Sequence, residues 1–320
     1  MLAAYVAQPN PSDPLAALRV GERPDPVVPE GWVRVRVRAA SLNHHDLWSL
    51  RGVGLPVERM PMILGTDAVG TTDDGRDVIV HAVIASGDWT GDETLDPSRS
   101  LLSELHQGAL AEYVVVPAGN VVDKPAGLSF EDASCMPTAW LTAYRMLTRY
   151  GLSAGDTVLV QGSSGGVASA AIQLARQLGI RTWATARTEE KRAFALDLGA
   201  DAAFDSGARL PERVDAVIET VGKATWGHSL KALRPGGTVI VSGATSGYDP
   251  PADLNRIFFL QLRVQGSTMG TREELAALVE LVVASGVRPR VDRILELGAA
   301  ADALAALEAG EVLGKVVLIA

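Results

Sequence analysis

The stretch TVLVQGSSGGVASAAIQLARQLGIRTWATAR, residues 157–187, decides the fold. Its first five residues are an apolar, β-branched run typical of a buried parallel strand, and Gly162, Gly165 and Gly166 follow at a turn. An apolar helix is predicted over residues 167–178, and a second strand over 182–186. The first turn of such a helix presents unpaired N–H groups and the positive end of its dipole to an anion. The combination predicts a dinucleotide-binding unit with the pyrophosphate at the helix N-terminus.

The residues predicted to contact the phosphates are those of the turn: Gly162, Ser163, Ser164, Gly165, Gly166 and Val167. The end of the second strand indicates which dinucleotide binds. NAD-selective units usually carry an acidic residue there, to hold the ribose diol. Here Ala186 is followed by Arg187 and Thr188, with Lys191 one turn later.

Two cations and a hydroxyl suit a 2′-phosphate, so the sequence predicts NADP(H) as the cofactor. The alternative is that Arg187 and Lys191 are solvated charges at the start of a helix, beside Glu189 and Glu190.

Composition limits the partners of the chain. With 320 residues, 47% of them hydrophobic, it is long enough for a large core and two domains. The 29 basic and 38 acidic residues give a net charge of -9, which argues against nucleic acid or an anionic membrane as partner. Cys135 is the only cysteine, so no intrachain disulfide forms, and its apolar setting predicts a buried, unreactive thiol. The start of the chain lacks signal-peptide features, and no apolar run reaches membrane-spanning length, so we expect a cytosolic protein.

The first third of the chain has an all-β pattern, and from about residue 129 strands and helices alternate. In the tail we predict a helix over residues 273–284 and a final strand, GKVVLIA, that returns to the first domain. The predicted strands outside the glycine-turn unit cover residues 33–39, 77–85, 111–116, 214–219 and 238–242.

The chain resembles the medium-chain dehydrogenase/reductase superfamily over almost its whole length. The resemblance rests on the glycine turn and on the segments LNHHDLWSLRG (42–52), LGTDAVG (64–70), GALAEYVVVP (108–117), PTAWLTAYRML (137–147) and GKVVL (314–318). It implies an α/β fold: a Rossmann doubly wound parallel sheet plus a β-rich GroES-like catalytic domain. The implied bounds are 1–125 for the catalytic domain, 126–268 for the Rossmann domain and 269–320 for the return to the catalytic domain. The resemblance also implies a cleft between the domains with the nicotinamide at its floor.

Zinc-dependent relatives hold their catalytic metal with a cysteine where this chain has Asn43, a histidine where it has Thr66, and a cysteine or aspartate near Thr138. Amide and hydroxyl oxygens are poor zinc ligands, so we predict chemistry without a metal. Residues 85–110 contain no cysteine for a structural zinc. A site rebuilt from His44, His45, Asp46 and Asp67 is disfavoured, because adjacent histidines point in different directions.

Zinc-free members of this superfamily resemble quinone oxidoreductases and reductases of enones and enoyl thioesters. The leading hypothesis is therefore an NADPH-dependent reductase that transfers hydride to a quinone or another conjugated carbonyl, a small electrophile. One alternative is a reductase of an enoyl thioester or biosynthetic intermediate, for which Arg51 and Arg59 are the only hint of a basic entrance. Another is an NADPH-binding sensor without turnover.

Four residues are catalytic candidates by this resemblance. Asn43 either faces nicotinamide and substrate or is a turn residue bonded to its own backbone. His45 is the candidate proton donor, with solvent as the alternative. Trp48 either stacks on a ring and donates its N–H or belongs to the core. Thr66 is a possible hydroxyl donor to substrate, and Asp67 beside it is expected to be structural.

Further cofactor contacts are also implied by the resemblance. His44 stands where relatives place a basic residue near the pyrophosphate, and Thr142 where a threonine packs on the nicotinamide. Lys315 either reaches the cofactor or is a surface lysine. Residues at strand ends are expected to line the cofactor cleft: Gly222, Gly243, Ser267 and Thr268. Relatives commonly dimerise through the edge of the Rossmann sheet, so we predict a homodimer with TVIVSGA (238–244) as the edge strand.

Overall fold

The computed structural model describes residues 1–320, which divide into two units. The catalytic unit comprises Met1–Leu141 and Met269–Ala320, and the Rossmann unit comprises Thr142–Thr268. The Rossmann unit thus begins later than the predicted residue 126.

The catalytic unit is built mainly from short strands. Its elements before the Rossmann unit are β1 (Leu2–Val6), α1 (Pro14–Ala17), β2 (Leu18–Glu22), β3 (Trp32–Ser41), α2 (His44–Leu50), β4 (Met62–Ile63), β5 (Val69–Thr72), β6 (Asp77–Val80), β7 (Val83–Ile84), β8 (Ser100–Leu101), β9 (Tyr113–Pro117), β10 (Val121–Asp123) and α3 (Phe130–Ser134). A π-helical turn, Met136–Trp140, follows α3.

The Rossmann unit alternates strands and helices. The helix α4 (Leu141–Thr148) leads into it, and its elements are β11 (Thr157–Val160), α5 (Gly166–Gln177), β12 (Arg181–Ala186), α6 (Glu189–Asp197), β13 (Ala202–Asp205), β14 (Val214–Glu219), α7 (Trp226–Ala232), β15 (Leu233–Val241), α8 (Leu254–Phe259) and β16 (Arg263–Gly266). The chain then completes the catalytic unit with α9 (Arg272–Ser285), β17 (Val291–Glu296), α10 (Ala300–Ala309) and β18 (Lys315–Ile319).

Strand β3 is central to the seven-stranded sheet of the catalytic unit, where it pairs antiparallel with β5, β9 and β18. The alternation predicted for it is present: Val35 and Val37 are buried, whereas Arg36 and Arg38 are exposed. The pairing with β18 confirms that the last strand returns to the first domain. It also brings Lys315 close to the residues that follow β3.

Residues 77–85 do not form the single predicted strand, because the chain leaves the sheet between β6 and β7. The backbone groups at this break are satisfied by Asn120. Its carbonyl accepts the His81 N–H at 2.8 Å, and its Nδ2 donates to the carbonyls of His81 and Val83 at 3.0 and 2.6 Å. The backbone carbonyl and the side chain of one residue distant in sequence thus replace the strand ladder.

The segment that the sequence assigned to the Rossmann domain from residue 126 belongs to the catalytic unit up to Leu141. Helix α3 packs against β3 and β5, and the π-helical turn packs against α9. Cys135, between them, is fully buried, and burial raises the pKa of its thiol to about 12. The prediction of a buried, unreactive thiol is therefore confirmed.

The Rossmann unit contains a six-stranded sheet, all parallel, in the order β13-β12-β11-β14-β15-β16. The predicted strands and helix around the glycine turn are confirmed to within a residue at each end. The central strand β11 is fully buried along its apolar residues Val158, Leu159 and Val160.

The predicted edge strand is wrong. Residues 238–241 belong to β15, which lies between β14 and β16, so both of its sides are paired. The edges are β13 and β16, and the edge next to β15 is β16, a short strand with no apolar run that the sequence would reveal.

No helix in the structure is long and apolar enough to cross a membrane.

Candidate active site

Asn43 lies between β3 and α2, and a buried carboxylate holds it there. The Asp46 carboxylate accepts the Asn43 N–H at 2.9 Å and the Gly65 N–H at 2.9 Å. Asp46 is fully buried, and this burial raises the pKa of its carboxyl. Asp46 therefore ties the start of α2 to the segment that carries Thr66.

The side chain of Asn43 bonds one carboxylate and one hydroxyl directly, and through that hydroxyl it is linked to a second one. Its Nδ2 donates to Asp67 Oδ2 at 2.8 Å and to Thr66 Oγ1 at 3.2 Å. Thr66 Oγ1 in turn lies 2.9 Å from Thr138 Oγ1, on the π-helical turn. The structure thus brings Asn43 and Thr66 together and rules out a lone turn residue bonded only to its own backbone.

Lys315 is inside this network and is almost fully buried. Its ammonium donates to the Leu42 carbonyl at 2.6 Å and to Asn43 Oδ1 at 2.7 Å, and lies 3.5 Å from Asp67 Oδ2. Three acceptors match the three ammonium protons. The alternative of a surface lysine is wrong. The predicted contact with the cofactor stays a prediction, and it would require Lys315 to give up one of these acceptors.

Asp67 is the counter-charge of Lys315 and is also buried. Besides Asn43 and Lys315, its Oδ2 accepts the Ser41 hydroxyl at 2.6 Å, whereas its Oδ1 has no hydrogen-bond partner. A buried ammonium and a buried carboxylate stabilise each other, and removing either leaves an uncompensated charge.

The residues at the three positions where zinc-dependent relatives bind metal do not fit zinc. The oxygen of Asn43 is occupied by the Lys315 ammonium, and the Thr66 and Thr138 hydroxyls bond each other. A positive charge beside the amide would also repel a dication. No group of three or more His, Cys, Asp or Glu side chains elsewhere is arranged for a metal ion.

His45 faces an acidic residue that the sequence did not point to. Its Nε2 lies 3.3 Å from Glu104 Oε1, and its Nδ1 is buried without a hydrogen-bond partner. Burial opposes protonation of this imidazole, but the hydrogen bond with Glu104 and the negative charge of Asp46 outweigh burial and raise the pKa of His45. Glu104 is held in place by the Leu101 N–H, 3.2 Å from its Oε2, in a turn where Ser103 is left-handed with φ 69°.

His44 is exposed at the start of α2. Partial desolvation and the positive charges of Lys315 and Arg51 lower its pKa. It is therefore a neutral imidazole near neutral pH, and its predicted contact with the pyrophosphate stays a prediction.

Trp48 is half-buried on α2. The Arg51 guanidinium lies over its ring, 5.4 Å from the centroid, and also pairs with Glu308 at 2.9 Å. The Trp48 ring and the Arg51 guanidinium, which had hinted at a basic entrance, thus both have partners within the protein. Arg59, the other such cation, donates to the Leu105 carbonyl at 3.4 Å.

The glycine turn of the Rossmann unit has the properties of a phosphate cradle. Gly162 is left-handed with φ 72°, and Gly165, the N-cap residue of α5, has no atom near the position of an added Cβ. No side chain caps α5, so the first-turn N–H groups remain available. These features fit a diphosphate. The Ser163 hydroxyl is not part of the cradle, because it donates to the Lys191 carbonyl at 2.7 Å.

At the end of β12 the Arg187 side chain is exposed, and Thr188 caps α6 by accepting the Lys191 N–H at 3.3 Å. Asp205, which lies beside Ala186 on β13, is paired with Arg192. Arg187 thus projects from the strand end with no carboxylate paired to it, which fits an anionic 2′-phosphate.

The remaining predicted cofactor residues lie at the carboxyl ends of strands or in the first turns of the Rossmann unit. Gly222 has φ 88°, and a Cβ there would lie 2.5 Å from the Gly247 carbonyl oxygen. A Cβ at Gly243 would lie 3.0 Å from the Thr220 carbonyl oxygen. Thr142 is buried on α4, and Thr268 is exposed. The Ser267 hydroxyl is buried without a partner.

A buried polar chain beneath the glycine turn was missed at the sequence level. The Gly162 N–H donates to Thr185 Oγ1 at 3.3 Å, the Thr185 hydroxyl to Gln161 Oε1 at 2.7 Å, and Gln161 Nε2 to Ser229 Oγ at 3.0 Å. The Ser229 hydroxyl then donates to Glu219, whose carboxylate also accepts the Gly222 N–H at 3.0 Å. The chain fixes two glycine turns relative to each other. No spacing in the sequence could have found it, because it joins four separate elements.

Family models match most of the chain. Residues 29–126 match the alcohol dehydrogenase GroES-like domain, and residues 166–284 match the zinc-binding dehydrogenase domain. The region that this second model matches does not include residues 43, 66 and 138. The donor set at Asn43, Thr66 and Thr138 does not fit the zinc ion that the name of this family model specifies.

Three known proteins illustrate what the chain is similar to. Acryloyl-coenzyme A reductase of Metallosphaera sedula is 30% identical, and the alignment covers 93% of this chain and 95% of that protein. The structure of an NAD-dependent alcohol dehydrogenase is 33% identical, with a TM-score of 0.92 and complete coverage of both chains. A 2-octenoyl-CoA carboxylase reductase in complex with NADP and 2-octenoyl-CoA is 26% identical, with a TM-score of 0.90, and the match covers 99% of this chain and 87% of that one.

Proposed function

The chain belongs to the medium-chain dehydrogenase/reductase family, and we propose that it is an NADPH-dependent reductase of the double bond of enoyl thioesters. The observation that carries the proposal is the hydrogen-bonded set of Asn43, Thr66 and Thr138 backed by the Lys315 ammonium. This set can donate hydrogen bonds but has no free donor atoms for a metal. It suits an acceptor that is already activated by conjugation.

The glycine turn and Arg187 are the residues that would hold NADP(H): the uncapped first turn of α5 for the diphosphate, and the guanidinium for the 2′-phosphate. NADPH held there supplies a hydride. The similarity to an NAD-dependent alcohol dehydrogenase leaves NADH as the competing cofactor. We favour NADPH because Arg187 stands at the strand end where an NAD-selective unit carries a carboxylate.

Reduction of an enoyl thioester needs little polarisation by the protein. When hydride reaches the β-carbon, the double-bond electrons move toward the carbonyl and negative charge collects on its oxygen. Hydrogen bonds aimed at that oxygen stabilise this charge. One proton then reaches the α-carbon, so that hydride and proton together convert the double bond to a single bond.

His45 is our candidate for the proton donor. The pairing with Glu104 raises the pKa of this imidazole, so the protonated form persists to higher pH than that of an ordinary histidine. Glu104 also holds the ring in one orientation. Water remains the competing source of the proton.

Two of the similar proteins support the choice of a thioester, since their names specify acryloyl-coenzyme A and 2-octenoyl-CoA. The quinone that the sequence favoured stays a prediction, because quinones also accept hydride without a metal. An alcohol or aldehyde is disfavoured by the donor set, since a simple carbonyl requires stronger polarisation.

The proposal includes a homodimer formed through β16, since its outer edge is unpaired and Val264 on it is exposed. The exposed side chains of Phe258 and Phe259 lie close by in sequence on α8. Exposed apolar side chains and a free strand edge both favour association with a second copy.

Turnover tests the proposal. Chelator-treated protein of measured metal content would be mixed with NADPH and with crotonyl thioesters, benzoquinone, enones and aldehydes in turn. We expect loss of NADPH absorbance with the thioesters and, from NADPH deuterated at C4, deuterium at the β-carbon of the product.

If quinones alone were reduced, the substrate class would be quinones and not enoyl thioesters. Activity on alcohols that requires zinc would overturn the proposal. Tight NADPH binding without any turnover would favour the sensor.

A further inference from the structure

The hydrogen bonds around Lys315 have one possible direction. An ammonium group only donates, so the Asn43 atom 2.7 Å from it must be Oδ1. The amide nitrogen then faces the other way, where it donates its two protons to Asp67 and Thr66. The orientation of the Asn43 amide is therefore set by Lys315 and Asp67 together.

The same reasoning extends to Thr66. Its side chain is 1% exposed, and its oxygen accepts from Asn43. The remaining neighbour is Thr138 Oγ1 at 2.9 Å, which is the one acceptor within reach for the Thr66 proton. A buried hydroxyl proton without an acceptor is costly, so Thr66 donates to Thr138.

Thr138 is thus the end of the chain, and no hydrogen-bond acceptor for its own proton is seen within the protein. It is also the one member that is only partly buried, whereas the other four side chains are 8% exposed or less: Asn43, Thr66, Asp67 and Lys315. It lies on the π-helical turn Met136–Trp140, and such turns are frequently found at functional sites.

We infer that Thr138 is a catalytic residue whose hydroxyl donates a hydrogen bond to the carbonyl oxygen of the substrate, an inference that rests on the proposed function. The new C–H bond at the β-carbon would form as the C4–H bond of NADPH breaks and NADP⁺ is released as the oxidised product, and the electron pair from the double bond would end on the carbonyl oxygen. Thr138 holds that oxygen until a proton from His45 or water reaches the α-carbon and the carbonyl re-forms.

The upstream groups strengthen this donor. Each hydroxyl or amide that accepts a hydrogen bond becomes a better donor, and the positive charge of Lys315 at the buried end polarises the chain in the same direction. Thr66, Asn43 and Lys315 are in this sense positioning residues for Thr138.

Thr138→Val removes the hydroxyl and keeps the shape. We expect kcat for the enoyl thioester to fall about 100-fold, the loss typical of one oxyanion donor, with little change in KM. Thr138→Ser should retain most of the activity. Thr148→Val is the matched control, because the exposed Thr148 hydroxyl bonds only to the Tyr144 carbonyl in its own helix. It should match the wild type.

Thr66→Val tests the direction of the chain. We expect a smaller fall in kcat than for Thr138→Val, and the double variant should be no slower than Thr138→Val alone, because both act through one hydrogen bond. Additive losses would overturn the ordered chain. Thermal stability and NADPH affinity, measured for every variant, should not differ between Thr138→Val and Thr138→Ser.

Wild-type kcat in Thr138→Val, or equal loss in Thr138→Ser, would overturn the role of Thr138 while leaving the reductase intact. If the wild type reduces quinones but not thioesters, the proposed substrate is wrong, yet the loss in Thr138→Val still supports the donor, since a quinone also places charge on oxygen. A wild type that reduces neither overturns both.

Discussion

Lys315 carries a charge into the interior of the catalytic unit. The glycine before it has φ 107°, and a Cβ at Gly314 would lie 2.1 Å from the Arg290 carbonyl oxygen. The chain can therefore pass close to Arg290 before β18 starts. Lys315 is then placed where Asn43, Asp67 and the Leu42 carbonyl surround its ammonium. A pair of buried charges costs desolvation free energy and is retained here beside the candidate reacting groups.

The pairing of His45 with Glu104 leads to a prediction about pH. If protonated His45 is the donor, kcat falls as pH rises through its raised pKa. Glu104→Gln removes the negative charge, leaves burial as the dominant influence, and should move this basic limb of the kcat profile to lower pH. Glu311→Gln, a change at an exposed acid on the surface, is the control. An unmoved limb in Glu104→Gln would assign the proton to water.

Arg187 leads to a prediction about the cofactor. Arg187→Ala should weaken NADPH binding by roughly 10-fold or more, the loss expected for one charge-assisted hydrogen bond, and should leave NADH affinity unchanged. Fluorescence titration measures both affinities. Arg213→Ala, at an exposed arginine before β14, should change neither. Equal losses for the two cofactors would contradict recognition of the 2′-phosphate.

At the scale of elements, the glycine turn is supported from below by the buried polar chain through Thr185, Gln161, Ser229 and Glu219. Each donor in that chain has an acceptor, so the network is satisfied and rigid. The turn between β11 and α5 is therefore presented to a ligand in one conformation.

Gly162→Ala tests how far that conformation matters for the cofactor. Alanine at φ 72° costs about 1–2 kcal/mol of strain, and its Cβ would lie 3.3 Å from a Val221 methyl. We expect a fall in thermal stability and a loss of NADPH affinity. Gly151→Ala is the matched control, since φ there is 81° with open space around the added Cβ. It should lower thermal stability and leave NADPH affinity unchanged. Equal NADPH affinity in the two variants would show that the turn does not hold the phosphates.

At the scale of the whole molecule, the proposed homodimer depends on the β16 edge of the Rossmann sheet. Strand β16 has one paired side, and Val264 at its centre is 51% exposed. A lysine on a strand edge opposes pairing with a second sheet. Val264→Lys should therefore convert a dimer to a monomer in sedimentation velocity.

Val283→Lys on α9 places the same charge on an exposed valine of the catalytic unit and should leave the dimer intact. A monomeric wild type, or a dimer that persists in Val264→Lys, would contradict association through β16.

Local signals predicted most of the secondary structure, because each depends on a few neighbouring residues. The run 157–160, the glycines after it and the helix that follows lie within one continuous segment, and they were located to within a residue. The break between β6 and β7 was not predicted, because Asn120 supplies its partners. The start of the Rossmann unit was placed too early, because α3 belongs by packing to β3 and β5.

The sequence by itself determined the two-unit architecture, the glycine turn for a dinucleotide and the replacement of zinc ligands at Asn43, Thr66 and Thr138, because residue type and spacing carry that information. Only the tertiary structure decided which groups lie beside these side chains where zinc-dependent relatives hold a metal ion. Lys315 meets Asn43 and Asp67 because β18 pairs with β3, and Glu104 meets His45 across a long stretch of sequence. Hydrogen-bond direction and the pKa of a buried group depend on which distant atoms fold against them, and that is a property of packing.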